Sequence, residues 1–142
     1  MLDVIVANTH QKLRAPNARI RDAVRFVLQK EGVSTAELAV VFVTSRRSRL
    51  LNREFLQHDY VTDVISFPLE ERPRIEGEIY VNLDRARQQA LRYGVGFANE
   101  ILRLVVHGTL HLLGYDDTTT RSAEVMHERQ ERYVKSLQDR GR

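Results

Sequence analysis

In the run His107-Gly108-Thr109-Leu110-His111-Leu112-Leu113-Gly114-Tyr115-Asp116-Asp117, two histidines stand four residues apart. Side chains at i and i+4 of a helix lie one above the other, so both imidazoles reach the same point in space. Gly114 is suited to end such a helix in the left-handed conformation and turn the chain back. Asp117 then follows within reach of the same point. Two imidazoles and a carboxylate make a zinc ligand set with a fourth position open to water, the pattern of a catalytic rather than a structural site. A water bound there is acidified toward neutrality and serves as nucleophile, while the ion itself acts as a Lewis acid.

Three other readings compete. A His-x-x-x-His pair on an otherwise apolar helix also occurs as a packed pair whose ring nitrogens bond to neighbours. Asp116 rivals Asp117 as third ligand, because adjacent loop residues point in different directions. The spacing His-x-x-x-His-x-x-Gly-x-x-Asp is also that of metzincin-type peptidases. Those enzymes carry a general-base glutamate directly after the first histidine. Here that position is Gly108, which argues against proteolysis.

The elements that must position these residues follow from periodicity. Leu2–Ala7 reads as a first strand. Pro16-Asn17 leads into a helix over 18–31, with Ile20, Ala23, Val24, Val27 and Leu28 on one face and Gly32 as its stop. Glu37–Thr44 is a β-branched apolar run, expected as a central strand. Ser45 is expected to cap a short helix over 46–56 that turns Leu50, Leu51 and Phe55 inward and Arg46, Arg47, Arg49 and Arg53 outward. Val64–Leu69 and Glu78–Asn82 read as short strands joined by a charged loop. Helices are expected over Leu83–Tyr93, Ala98–Leu113 and Thr118–Asp139. The fold class is therefore α/β (α+β): a single domain spanning 1–142, with a short mixed four-stranded sheet flanked by helices and a metzincin-like metal-binding helix.

Composition narrows the function classes. The 142 residues are 42% hydrophobic and 29% charged, a globular balance, and contain no cysteine. That excludes disulfide scaffolds, thiolate zinc sites and cysteine nucleophiles, and fits a cytoplasmic protein. No apolar run approaches the roughly 20 residues of a membrane span, and no basic leader opens the chain, so neither a membrane nor a signal peptide is expected. The net charge of +3 is uneven: residues 19–53 hold eight basic and three acidic side chains, while residues 54–100 hold five basic and nine acidic. Arg46, Arg47, Arg49 and Arg53 thus offer contacts to the phosphates of a single strand, and His58 a further contact or proton. A solvated helix face accounts equally for the arginines, and a surface histidine without a role is the favoured reading of His58. Thr62 and Asp63 ahead of a strand either cap it or serve a substrate. Tyr115 either packs or stacks on a base.

The segment 107–117 resembles the signature of the YbeY family, single-strand-specific endoribonucleases of ribosomal RNA maturation and ribosome quality control in bacteria. The family pattern His-Gly-x-Leu-His-Leu-x-Gly-Tyr-Asp-His is matched up to its last position. Leu51-Asn52, Thr62-Asp63-Val64-Ile65-Ser66-Phe67-Pro68 and Gly77-Glu78-Ile79 resemble further family blocks, and Glu124–Gln130 falls where its last helix carries Met and Gln-Glu. The resemblance spans roughly residues 38–135. It implies a zinc-dependent endoribonuclease, one Zn2+ per chain, acting on ribosomal RNA of the small subunit at its 3′ end, with no DNA substrate. Two departures stand out. Asp117 replaces the family's third histidine, and Leu56 stands where many members carry an arginine thought to serve the phosphate chemistry. The first leaves a competent ligand; the second leaves phosphate binding to other groups. No residue is assigned as general acid or base. The alternatives are a non-catalytic ribosome-assembly protein that binds RNA and uses the metal structurally, and a zinc hydrolase of another substrate.

Overall fold

A computed structural model describes residues 1–70 and 73–140. The chain runs β1 (Leu2–Asn8), α1 (Asn17–Lys30), β2 (Ala36–Val43), α2 (Ser45–Leu56), β3 (Val64–Glu70), β4 (Ile75–Asn82), α3 (Leu83–Tyr93), α4 (Phe97–Leu112) and α5 (Thr120–Arg140). The strands form one mixed sheet in the order β1-β2-β4-β3. β1, β2 and β4 run parallel, and β3 pairs antiparallel with β4 as an edge strand. The expected four-stranded mixed sheet with helices is thus the observed one.

The parallel strands are joined through helices because parallel neighbours need a crossover, whereas the short β3–β4 connection gives an antiparallel hairpin. One hydrophobic cluster draws on β1, β2 and β4 and on α1, α3, α4 and α5. At its centre lies α4, buried along most of its circumference by Ile101, Leu102, Leu104, Val105, Val106, Leu110 and Leu112. A helix apolar nearly all round must be enclosed on all sides. Here the sheet lies beneath it, with α1, α3 and α5 around it.

Several boundaries shift, each for a local reason. Thr44, not Ser45, caps α2, its hydroxyl accepting from the Arg47 N–H at 3.1 Å. β4 begins at Ile75, three residues earlier than expected, because Ile75, Gly77 and Ile79 alternate inward along one face. Residues 71 and 72 of the expected charged loop lie outside the described residues. α5 begins at Thr120, since Thr118 and Thr119 are held in the turn before it. The larger correction is Phe55, which is 63% exposed rather than turned inward. The buried side of α2 is Ser48, Leu51 and Asn52 instead. Ser48 Oγ and Asn52 Nδ2 donate to the carbonyls of Thr62 and Tyr60. The helix therefore uses polar side chains to hold the 57–63 loop, and Phe55 is left to meet Phe67 edge-on at 5.7 Å on the outside.

Candidate functional site

α4 brings His107 and His111 together as the spacing requires, with ring centroids 6.2 Å apart and the planes nearly perpendicular. His107 is half-buried and His111 exposed, so the pair opens from the helix toward solvent. The helix ends at Leu112, and Gly114 takes φ +101°, the left-handed turn expected there.

His107 is oriented from behind. Its Nδ1 lies 2.7 Å from Gln130 Oε1 on α5. The Gln130 amide nitrogen donates to Glu131 Oε2 at 3.1 Å, and a carboxylate only accepts, so the amide oxygen must face the histidine. Nδ1 therefore carries the proton and Nε2 presents its lone pair outward. Glu131 is fixed in turn by Arg103, whose Nε and Nη2 donate to it while Nη1 reaches Glu100 at 3.1 Å. Burial raises the Glu131 carboxyl, but hydrogen bonds from Arg103 and Gln130 outweigh it and hold it below the usual value. Burial dominates at Glu100, which lies above the usual carboxylate range despite Arg103. A histidine whose second ring nitrogen is locked by an oxygen acceptor is the arrangement found behind metal-ligating imidazoles. The donors His107 and His111 fit a divalent metal.

The loop after α4 behaves differently. Asp116 Oδ1 accepts from the Thr118 N–H and hydroxyl at 3.2 and 3.0 Å. Hydrogen bonding from Ser122 and Thr118 holds its carboxyl below the usual range. Asp117 is exposed and takes no hydrogen bond or ion pair among the described residues. Among the described residues no three His, Cys, Asp or Glu side chains stand grouped to hold a metal, so Asp117 is not drawn in beside the histidines.

The substrate-side expectations divide. Arg46, Arg47, Arg49 and Arg53 all sit on the exposed face of α2, as expected. Arg49 is already paired, its Nε donating to Asp59 at 2.8 Å. His58 turns to Tyr60, stacked at 5.4 Å. Tyr115 packs against the core, and its hydroxyl donates to Glu31 at 2.7 Å, so packing is the observed role.

Sequence reasoning missed the role of Gln130 and the Arg103–Glu131 pair behind it. The signal was present: Met126, Gln130, Val134 and Leu137 form the buried stripe of α5, and a lone amide on an apolar stripe needs a partner. It also missed what Gly108 does. A Cβ there would come within 2.7 Å of Ile79 Cγ2 and 3.2 Å of Ser66 Oγ. The Ser66 hydroxyl donates to the Gly108 carbonyl at 3.1 Å. The glycine seats the metal-type helix on β3 and β4 and leaves no room for a peptidase's glutamate.

A mixed sheet carrying a central helix, with His107 oriented from behind and His111 beside it facing solvent, defines a small α/β protein with a histidine-bearing site. A family model described as endoribonuclease YbeY matches residues 5–138, and the chain belongs to that family. It is 42% identical over 122 residues to the endoribonuclease YbeY of Chlorobium phaeovibrioides, covering 86% of this chain and 82% of that one. Over 136 residues it is 38% identical to that of Chloroherpeton thalassium, covering 96% of each. The solution structure of TM1509 from Thermotoga maritima superposes with a TM-score of 0.67 at 28% identity, covering 94% of this chain and 88% of that one. Among the described residues no helix is long and apolar enough to cross a membrane.

Proposed function

We propose that this protein is a metal-dependent endoribonuclease that cuts single-stranded RNA, working in the cytoplasm on the 3′ end of small-subunit ribosomal RNA during maturation and ribosome quality control. The observation that carries the reading is His107, oriented by Gln130 and standing beside His111, in a chain matched from residue 5 to 138 by the endoribonuclease YbeY family. His107 and His111 would hold one Zn2+ per chain, with Asp117 swinging in as third ligand in preference to the turn-bound Asp116. When bound, the ion would supply a Lewis acid and an acidified water.

The chain's own residues do the rest. Gln130 keeps the His107 proton on Nδ1, so the outward nitrogen stays a donor of its lone pair. The exposed guanidiniums of Arg46, Arg47 and Arg53 neutralise phosphates of the strand and fix its path. They stand in for the family arginine that Leu56 replaces. Arg49 contributes less, since Asp59 already takes its charge.

The test is cleavage of a labelled single-stranded RNA by wild type, His107→Ala and His111→Ala, beside zinc content by elemental analysis. Single-strand cutting and about one zinc per chain, both lost in each variant, support the reading. Zinc retained with RNA binding but no cutting would overturn it in favour of an assembly factor with a structural metal. Cutting that survives both substitutions would remove the histidines from the chemistry. Loss of metal in Asp117→Ala would assign the third ligand.

A further inference from the structure

Beside His107, between α3, α4 and the start of β3, lies a cavity of about 220 Å³. Its functional lining is Asp63, Gln89, Tyr93, Glu100, Arg103 and His107. It is smaller than the roughly 300 Å³ at which sites for whole drug-sized ligands begin, so it takes a single base. Its chemistry rejects phosphate. Asp63 and Glu100 line it, and Arg103, the lining cation, directs its donors to Glu131 and Glu100. A nucleotide can therefore offer this cavity its base but not its backbone.

The polar groups select among bases. Gln89 Nε2 donates to Asp63 Oδ2 at 3.1 Å, which fixes the carboxylate and leaves the other oxygen and the Gln89 carbonyl as acceptors. The wall is rich in acceptors, and a carboxylate offers about four lone-pair sites in one plane. Of the four RNA bases, guanine alone presents two adjacent donors, N1–H and N2–H, on its pairing edge. Adenine and cytosine place a ring acceptor beside their amine, and uracil flanks its single N–H with carbonyls. Tyr93, 62% exposed at the rim, offers a ring face against which a base can stack.

We propose that this cavity is a guanine subsite of the RNA-binding site, in which Asp63 accepts from N1–H and N2–H of an unstacked guanine while Tyr93 covers its face. The proposal rests on the endoribonuclease reading above and adds to it a base preference at the nucleotide nearest His107.

The test uses the full chain and fluorescein-labelled oligouridylates carrying one central guanosine, inosine or adenosine, with binding read by anisotropy and cutting read in parallel on a gel. Wild type is expected to bind the guanosine oligomer on the order of tenfold more tightly than the adenosine one, with inosine between because it lacks the N2 amine. Asp63→Asn keeps an oxygen for Gln89 but turns a donor toward the base, and should erase the preference. Tyr93→Ala should weaken all three oligomers alike, on the order of tenfold. Equal binding of the three by wild type, or a guanosine preference that Asp63→Asn leaves intact, overturns the subsite. Preference without cutting would sink the nuclease reading and leave the subsite standing. Cutting without preference would do the reverse. Should Asp63→Asn melt early, the wild-type oligomer series and Tyr93→Ala at its exposed position decide the matter.

Discussion

His107 owes its chemistry to a residue 23 positions away. The 2.7 Å contact with Gln130 Oε1 sets the ring's proton and its rotation, and supporting groups of this kind typically account for 10–100-fold in metal affinity. Gln130→Leu removes the acceptor while conserving most of the volume. Zinc affinity, measured by competition with a chromophoric chelator, is expected to fall at least tenfold, with the helix content unchanged by circular dichroism. Affinity equal to wild type would show that Gln130 only fills space. The histidine pair and the glycine turn were legible because helical periodicity is local and short-ranged. The Gln130 contact was not, since nothing in a single sequence states which turn of α5 lies against which turn of α4. The third ligand stayed open for a related reason: the direction of a loop carboxylate depends on the turn, and the turn here enlists Asp116.

The helix α4 is placed by what its glycine lacks. Alanine normally gains up to about 1 kcal/mol over glycine inside a helix, yet at 108 the added carbon would sit 2.7 Å from Cγ2 of the fully buried Ile79. Overpacking of this sort costs about 1–3 kcal/mol, and Ile79 is β-branched with no spare rotamer on a strand. Gly108→Ala is therefore expected to lower stability by about 1 kcal/mol net in urea titration, and to reduce zinc affinity because α4 must lift from β3 and β4. A more stable protein would mean that the sheet yields and propensity wins. The strands and long helices were readable because their apolar residues repeat at the period of the element. α2 was misread at Phe55 because the periodic pattern cannot reveal that Ser48 and Asn52 are buried to tether a loop. Polar side chains used as internal ties look like surface in a sequence.

At the scale of the molecule, one carboxylate fastens three parts of the fold. Glu31, just past α1, accepts from Tyr115 in the loop after α4 at 2.7 Å, from Arg129 on α5 at 3.0 Å, and closely from Tyr133. Burial raises its carboxyl, but the hydrogen bonds of Tyr133, Tyr115 and Arg129 together outweigh it and hold it below the usual range. The same bond, added to burial, pushes the Tyr133 phenol up to about 12, so Tyr133 remains a donor throughout the neutral range. A carboxylate whose native value lies below its unfolded value stabilises the fold where it is ionised in both states. The contribution is complete above the unfolded value of about 4.3 and disappears as pH falls through the lowered native value. Glu31→Gln keeps the shape and removes the charge, at a cost of about 2 kcal/mol near neutrality. Because the loop it ties leads directly to Asp116 and Asp117, zinc affinity should drop with it. Urea titrations of both proteins from pH 7 to pH 3 test this. The gap between them is expected to be constant down to about pH 5 and to narrow steadily below it, as proton uptake by Glu31 removes the wild type's advantage. A gap that persists unchanged into acid would assign the loss to packing rather than to the ionised carboxylate, and the three elements would then be held by shape alone.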